Sequence, residues 1–360
     1  MLAMNALLAN MTTDQSMFAP ASPAAEAIRS LSFLVLAITG FIFILVEGVL
    51  FYAIVRFRRT RLEVGGQRSE VGPAPTSDFR SPTSEIEPPQ VYGSQPIEIA
   101  WTAAPALIVF VLVLVTARTL WEVNTNPPKP KSDDHALFVT VVGHQWWWEY
   151  RYDHFDGKEL GFTTANALVV PASDDGVTRP VYLTLKSADV CHSFGVPRLA
   201  GKTDLIPGRT NHMWFQSDRP GLYFGQCAEF CGTQHANMPI RVIAEPADKF
   251  ELWLANEKKD HAPKSDDAET VQIGRKLFLG QSCISCHRVA GTAAQGKYAP
   301  DLTHLMSRKT LAMGMLPNTR DDLRNWIADP QKVKPGCLMP AFGLSERDLD
   351  RIVGYLATLR

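Results

Sequence analysis

Two apolar runs dominate the first third of the chain. Residues 31–55 carry a single charged side chain, Glu47, and as a helix would reach about 38 Å, against a bilayer core of roughly 30 Å. Residues 99–117 form the second run, interrupted only by Trp101, Thr102, Thr116 and Pro105. Neither run shows the polar face of a soluble helix, so the pattern predicts two membrane spans. Beyond residue 122 the apolar positions alternate instead. Residues 136–142 are rich in β-branched side chains; Val181, Leu183 and Leu185 alternate with Tyr182, Thr184 and Lys186; Met213 and Phe215 repeat the pattern, and residues 240–244 form a further apolar run. Pro207-Gly208 and Pro220-Gly221 supply turns. This is the grammar of an all-β barrel or sandwich. After residue 268 the spacing becomes helical, with Ile273, Leu277 and Phe278, then Leu323, Trp326 and Ile327, then Leu349, Ile352, Val353 and Leu356. A small all-α domain is expected there.

Polar stretches separate these regions. Residues 62–96 hold Gly65, Gly66, Pro73, Pro75, Pro82, Pro88 and Pro89 among Ser and Thr, and residues 257–267 read EKKDHAPKSDD; both compositions suit linkers. The expected layout is an N-terminal extension (1–28), a two-helix transmembrane hairpin (29–121) with its loop at 56–96, a β domain (122–256), a linker (257–267) and a helical domain (268–360). Arg56, Arg58, Arg59 and Arg61 follow the first span, whereas Arg29 alone precedes it, and Arg118, Lys129 and Lys131 follow the second. The basic excess places the loop in the cytoplasm. Both termini and both soluble domains then lie on the outer, periplasmic side of a bacterial inner membrane. The first 28 residues lack a basic n-region and a sound apolar stretch, so they do not read as a standard secretory signal.

Charge narrows the function. Lys and Arg total 36 against 37 Asp and Glu, a net charge of -1, and no excess is left to hold nucleic acid. The balance is uneven between domains: residues 122–258 hold 13 basic and 17 acidic side chains, residues 268–360 hold 13 and 8. Opposite signs favour docking of the two domains on each other. Six cysteines in 360 residues are too few for a disulfide scaffold, which shifts attention to their spacing.

The densest constellation is Cys227-x-Glu229-x-Cys231-x-x-x-His235-x-x-Met238, with His192 upstream. Thiolates, imidazoles and a thioether suit copper, and Zn²⁺ rarely recruits Met. A Cys-x-x-x-Cys pair can set both sulfurs between two metal ions, each ion taking one histidine; a disulfide or a zinc site is the competing reading. Further on, Cys283-Ile284-Ser285-Cys286-His287 is a c-type haem attachment signature, in which two thiols add to the vinyl groups and the imidazole reaches the iron. A redox-active Cys-x-x-Cys pair competes with it. Met306, Met313, Met315 and Met339, and more weakly His304, are available as the sixth ligand. Cys191 and Cys337 belong to neither motif and are expected as buried free thiols, with a bridge between them as the alternative.

These motifs, with Asp189-Val190-Cys191-His192-Ser193-Phe194, Lys202-x-Asp204, Pro207-Gly208-Arg209 and His235-x-x-Met238-Pro239, resemble subunit II of the haem-copper cytochrome c oxidases over roughly residues 30–255. The resemblance implies a cupredoxin-like barrel holding a dinuclear CuA centre, with Cys227 and Cys231 bridging, His192 and His235 terminal, Met238 a weak ligand and Glu229 ligating through its main-chain carbonyl. It implies that Trp146, first of the run Gln145-Trp146-Trp147-Trp148-Glu149-Tyr150, is the point of electron input, although the family usually has tyrosine where Trp147 stands. A strand there would send Trp146 and Trp148 to one face. Glu98 matches a carboxylate at the mouth of a proton channel; an acid favoured by the helix dipole is the plainer account. Tyr298-Ala299-Pro300-Asp301-Leu302, Trp326-Ile327-x-Asp329-Pro330 and Pro335-Gly336-x-x-Met339-Pro340 resemble single-haem class I cytochromes c, with Met339 as the sixth ligand of haem c.

The whole chain thus resembles a caa-type subunit II, copper subunit and cytochrome c in one polypeptide. The implied function is electron transfer from haem c to CuA and on to haem-copper subunit I, which reduces O₂ to water in a proton-translocating oxidase. Expected partners are subunit I, the other oxidase subunits, an upstream cytochrome c or quinol-oxidising complex, and the membrane. The alternatives are the input subunit of a CuA-type nitric oxide reductase and, from another class, a copper-binding assembly protein. Nitrous oxide reductase would need a further copper domain for which there is no room.

Overall fold

The computed structural model describes residues 16–57, 93–124, 135–259 and 268–360; the loop expected at 56–96 and the linker at 257–267 fall mostly outside these. Residues 31–118 form one compact unit and the rest of the chain another. In the first unit lie two helices long and apolar enough to cross a membrane, α1 (Pro23–Arg56) and α2 (Gln95–Asn124). Their apolar side chains face outward all round, among them Phe41, Phe43, Ile44, Phe51, Leu107 and Phe110. Such a surface is costly in water and matched in hydrocarbon.

The start of α1 belongs to the second unit, and its cap explains why. Ser22 precedes Pro23 at the first helical position and accepts a hydrogen bond from Ala25 N at 3.0 Å, the arrangement that satisfies a free helix N–H. The same hydroxyl donates to Leu199 O. Ala21 N donates to Arg198 O at 2.9 Å, Asp218 N donates to Ala21 O at 2.9 Å, and Arg198 Nε donates to Ala19 O at 2.7 Å. Residues 19–22 are therefore strapped onto the β domain, and this part of the extension has a structural role that composition does not reveal.

The β domain is built on a sheet of five strands in the order β3-β2-β1-β5-β8, where β1 is Leu137–His144, β2 Trp147–Phe155, β3 Lys158–Ala165, β5 Val181–Ser187 and β8 Asn211–Phe215. A second sheet of β4 (Leu168–Pro171), β10 (Pro239–Glu245) and β9 (Gly221–Gln226) faces it, and β6 (His192–Gly195) pairs with β7 (Lys202–Leu205). The expected alternation is seen: Leu137, Val139 and Val141 of β1 and Val181, Leu183 and Leu185 of β5 point into one core. Helix α3 (Ala247–Glu257) closes that core with Phe250 and Leu254. The run of tryptophans departs from expectation. The chain turns at Gln145 and Trp146 and β2 starts only at Trp147, so Trp146 does not share a strand face with the fully buried Trp148.

The helical domain comprises α4 (Glu269–Gly280), the single turn α5 (Cys283–Cys286), α6 (Arg320–Ala328), α7 (Pro330–Val333) and α8 (Glu346–Leu356). Thr319 caps α6 and Ser345 caps α8, each accepting from the backbone N–H three residues on. Phe278, Leu323, Ile327, Leu349, Ile352, Val353 and Leu356 make its core. One of its residues packs elsewhere. Ala312 and Met313 take left-handed φ of 48° and 63°, costing roughly 1–2 kcal/mol each, and this turn carries Met313 into the core of the β domain, where it is 2% exposed. Burying that side chain returns about 1.5–3 kcal/mol.

Candidate metal and haem sites

The proposed copper donors stand at the tips of β6 and β9 and on the loop from β9 to β10. His192 opens β6 and is wholly buried. Its Nε2 is 2.8 Å from Asp189 Oδ1, while Nδ1 lies 3.9 Å from Cys227 Sγ. A carboxylate on one ring nitrogen fixes the tautomer and aims the other at the sulfurs. Burial disfavours the charged ring, but hydrogen bonding and charge from Asp189 and Cys227 together more than offset this and raise the His192 pKa. Gly143 at the end of β1 makes the space: a Cβ there would lie 2.8 Å from His192 Cδ2.

Cys227 Sγ and Cys231 Sγ are 3.8 Å apart and unbonded, so the disulfide reading fails. His192, Cys227 and Cys231 bring their donor atoms within 4.8 Å of one another. His235 Nδ1 is 3.6 Å from Cys231 Sγ, and Met238 Sδ is 3.8 Å from it. The Glu229 carbonyl oxygen lies 3.3 Å from Cys227 Sγ, while the Glu229 side chain is exposed. Burial raises both thiols; at Cys227 hydrogen bonding with His192, the Ser193 and Glu229 backbone and His235 together reverses this and brings the value to about 6, while at Cys231 the neighbouring Cys227 charge adds to burial and takes it to about 12. Two thiolates cannot coexist at this separation without a cation between them. The donor set fits a pair of copper ions, whose binding expels the second proton.

The Trp146 turn is tied to this loop. Trp146 Nε1 and Gln145 Nε2 both donate to Cys231 O, at 2.9 and 2.8 Å, and Gln145 N donates to Asp189 Oδ2 at 2.6 Å. Gly232, at φ 115°, is needed twice over: it turns the loop in a left-handed conformation, and a Cβ would stand 2.9 Å from Trp146 Cζ2. Trp147 stacks on His144 at 4.1 Å, and Trp148 packs edge-on to His192 and Phe194 at 5.9 and 5.8 Å.

In the helical domain Cys283, Cys286, His287 and Met339 line one cavity of about 260 Å³. His287 Nδ1 donates to Pro300 O at 2.7 Å, which leaves Nε2 for a ligand; burial lowers its pKa and keeps the ring neutral. Met313 also lines the cavity. His304 turns away, its Nδ1 3.1 Å from Arg360 O. An apolar space edged by two thiols, a neutral imidazole and a thioether fits haem c. Trp146 and Trp147 form part of the same lining.

Cys191 and Cys337 are free, with Cys191 exposed and Cys337 half-buried. No bridge joins them, and burial of Cys191 is not observed because its side chain points outward beside the inward-facing His192. Glu98 lies in the first turn of α2 and is exposed. Asp189, Gly143, Gly232 and Lys334 support these sites without having been singled out for it by sequence; of these, Asp189 and Gly232 stand within the motifs, Gly232 closing the run Cys227-Ala228-Glu229-Phe230-Cys231-Gly232.

Residues 137–245 match the family described as cytochrome c oxidase subunit II, periplasmic domain, residues 10–69 match its transmembrane domain, and residues 271–360 match cytochrome c. Cytochrome c oxidase subunit 2 of Alkalihalophilus pseudofirmus is 36% identical over 283 residues, 78% of this chain and 78% of that one. The Bacillus subtilis subunit 2 is 31% identical over 326 residues, 87% of this chain and 82% of that one. Among solved structures, the periplasmic domain of subunit II of Bradyrhizobium japonicum is 31% identical and covers 36% of this chain and 96% of that one, with a TM-score of 0.31. The chain belongs to the cytochrome c oxidase subunit II family, as a caa-type fusion with cytochrome c: it is a membrane protein and the electron-transfer subunit of a terminal oxidase, with dinuclear CuA and covalent haem c as its cofactors.

Proposed function

We propose that Cys227 and Cys231 would be shared between the two coppers, with His192 and His235 as terminal ligands, Met238 as a weak ligand and Glu229 contributing its main-chain carbonyl. Cys283 and Cys286 would hold the haem covalently, and His287 and Met339 would ligate its iron. When bound, each group carries one electron at a time. The protein's contribution is to fix the ligands beforehand: Asp189 holds the His192 ring and Pro300 O holds the His287 ring. A thioether ligand raises the haem potential, and tethering replaces diffusional encounter with an effective concentration that can reach the millimolar range.

Trp146 is the route between the two sites. The observation that carries this reading is that one indole lines the haem cavity and donates its N–H to the main chain of Cys231. Glu98, at the start of α2, is the proton-channel carboxylate facing subunit I. The chain is divided as an extension (1–28), a two-pass hairpin (29–121) with a cytoplasmic loop (56–96), a CuA domain (122–256), a linker (257–267) and a cytochrome c domain (268–360). Both redox domains lie on the periplasmic side of the bacterial inner membrane, which accords with the strapping of residues 19–22 onto the CuA domain. Electrons arrive at haem c from an upstream cytochrome c or quinol-oxidising complex and leave CuA for subunit I.

The test is His192→Ala and Cys231→Ser in the full chain. Each variant is expected to lose the seven-line electron paramagnetic resonance pattern of one electron shared by two coppers while keeping its haem spectrum. A surviving seven-line pattern refutes the ligand assignment.

A further inference from the structure

Lys334 is the most deeply buried lysine of the helical domain's docking face, with 3% of its surface exposed. Its Nζ donates to Trp146 O at 2.6 Å and to Asn237 O at 3.4 Å, both main-chain oxygens of the CuA domain. Burial pushes its ammonium down to about 8. An ammonium withdrawn from water costs free energy unless its hydrogens are taken up, and here the nearer acceptor is supplied by the turn that carries Trp146 and the other by Asn237 on the loop between β9 and β10. The adjoining residue continues the contact: Gln234 Nε2 donates to Pro335 O at 2.7 Å. Gln331 then holds the following stretch in place, donating to Cys337 O at 2.8 Å and to Met339 O at 2.9 Å and accepting from Gly336 N at 2.8 Å. Residues 334–339 are thus one braced segment, pinned to the Trp146 turn at one end and holding Met339 at the other.

A second anchor uses other residues of the same cavity lining. Met313 sits in the CuA-domain core, and Arg241 of β10 donates to Thr310 Oγ1 at 3.2 Å from a buried position over the Phe224 ring. Both anchors include residues that line the haem cavity, Lys334 in one and Thr310 and Met313 in the other, so the docking does not rest on a single contact. Lys334 and Arg241 both place their donors on neutral oxygens, which makes the docking less dependent on screened surface charge than the opposite domain charges would suggest.

We propose that Lys334 is a positioning residue for interdomain electron transfer, locking the Met339-bearing segment onto the Trp146 turn so that the cytochrome c domain is a fixed resident of the CuA surface. The proposal rests on the ligand and input roles assigned above.

The experiment uses the full chain with both cofactors in detergent, comparing wild type with Lys334→Met, Lys334→Arg and Met313→Gln. Hydrogen exchange is followed over residues 143–150 and 331–340, and the rate of copper reduction is followed after flash reduction of the haem. Lys334→Met is expected to expose both segments together and to slow the interdomain step about tenfold or more, since ångström-scale misplacement is that costly. Haem absorbance, haem potential and the copper signal stay as in wild type. Lys334→Arg, which keeps donors for both carbonyls, recovers most of the protection and rate, and Met313→Gln loosens the same two segments through the other anchor. Unchanged exchange and rate in Lys334→Met overturn the proposal, as does exposure of residues 331–340 alone. If instead wild type lacks the shared-electron copper signal or the haem spectrum, it is the underlying site assignment that fails.

Discussion

In the copper module the proposed donors touch one another, sulfur to sulfur and imidazole to sulfur, on loops already pinned by Asp189, Ser193 O and Met238 O. In the haem module the corresponding residues stand around a cavity of about 260 Å³ and are held apart by it. The first site is a cluster whose shape is fixed by the sheets around it, and the second is part of the domain's own interior. Metal removal should therefore affect them differently: Cys227, Cys231 and Met238 already pack among the barrel's apolar side chains, so the barrel survives demetallation, whereas a helical domain whose centre is the prosthetic group does not.

The strongest attempt to break that contrast is Cys283→Ser with Cys286→Ser. An unfilled space of this size is worth about 6 kcal/mol at some 24 cal/mol per Å³, comparable to the whole stability of a small domain. Circular dichroism and proteolysis should show the helical domain unfolded while the copper signal persists. Asp189→Asn comes next. It weakens the bond that orients His192 and should lower copper affinity 10- to 100-fold, measured by competition with a copper chelator, with the fold and haem spectrum intact. If affinity is unmoved, the site does not depend on its surroundings as described.

Acidity sharpens the comparison further. Burial alone would raise Glu149, but hydrogen bonds from His144 and Arg151 outweigh it and hold the carboxyl below its ordinary value of 4.5. A lowered carboxylate contributes stability at pH above that value and loses it as pH falls through its own lower value. Glu149→Gln should thus cost about 2 kcal/mol near neutrality and flatten the acid limb of the CuA-domain melting curve, leaving the helical domain's curve in place. The smallest effect expected is from Thr319→Ala, which removes the α6 cap for about 1 kcal/mol and should shift only the helical domain's melting temperature.

Much of this was legible in the sequence because the chemistry is local. Cys227, Cys231, His235 and Met238 lie on one loop, and Cys283, Cys286 and His287 on one turn, so spacing alone announces them. Alternation marked β1 and β5 because their inward faces are apolar. What stayed hidden depends on contacts between distant parts of the chain. Gly143 matters only because His192 leans over it, Lys334 only because Trp146 O lies across the domain boundary, and Ser22 only because Leu199 O is beside it. The misplacement of Trp146 on a strand has a similar cause: its indole is drawn to Cys231 O, a partner 85 residues away, and strand pairing begins one residue later.

The insertion of Met313 into the neighbouring core has a consequence for how such a fused gene can be taken apart. A polypeptide severed after α3 would carry a slot shaped for a thioether that is no longer attached, and the released fragment would carry an apolar hook in a twisted turn with nothing to grip. The fusion is therefore a lock as well as a leash: the sulfur of one half completes the interior of the other.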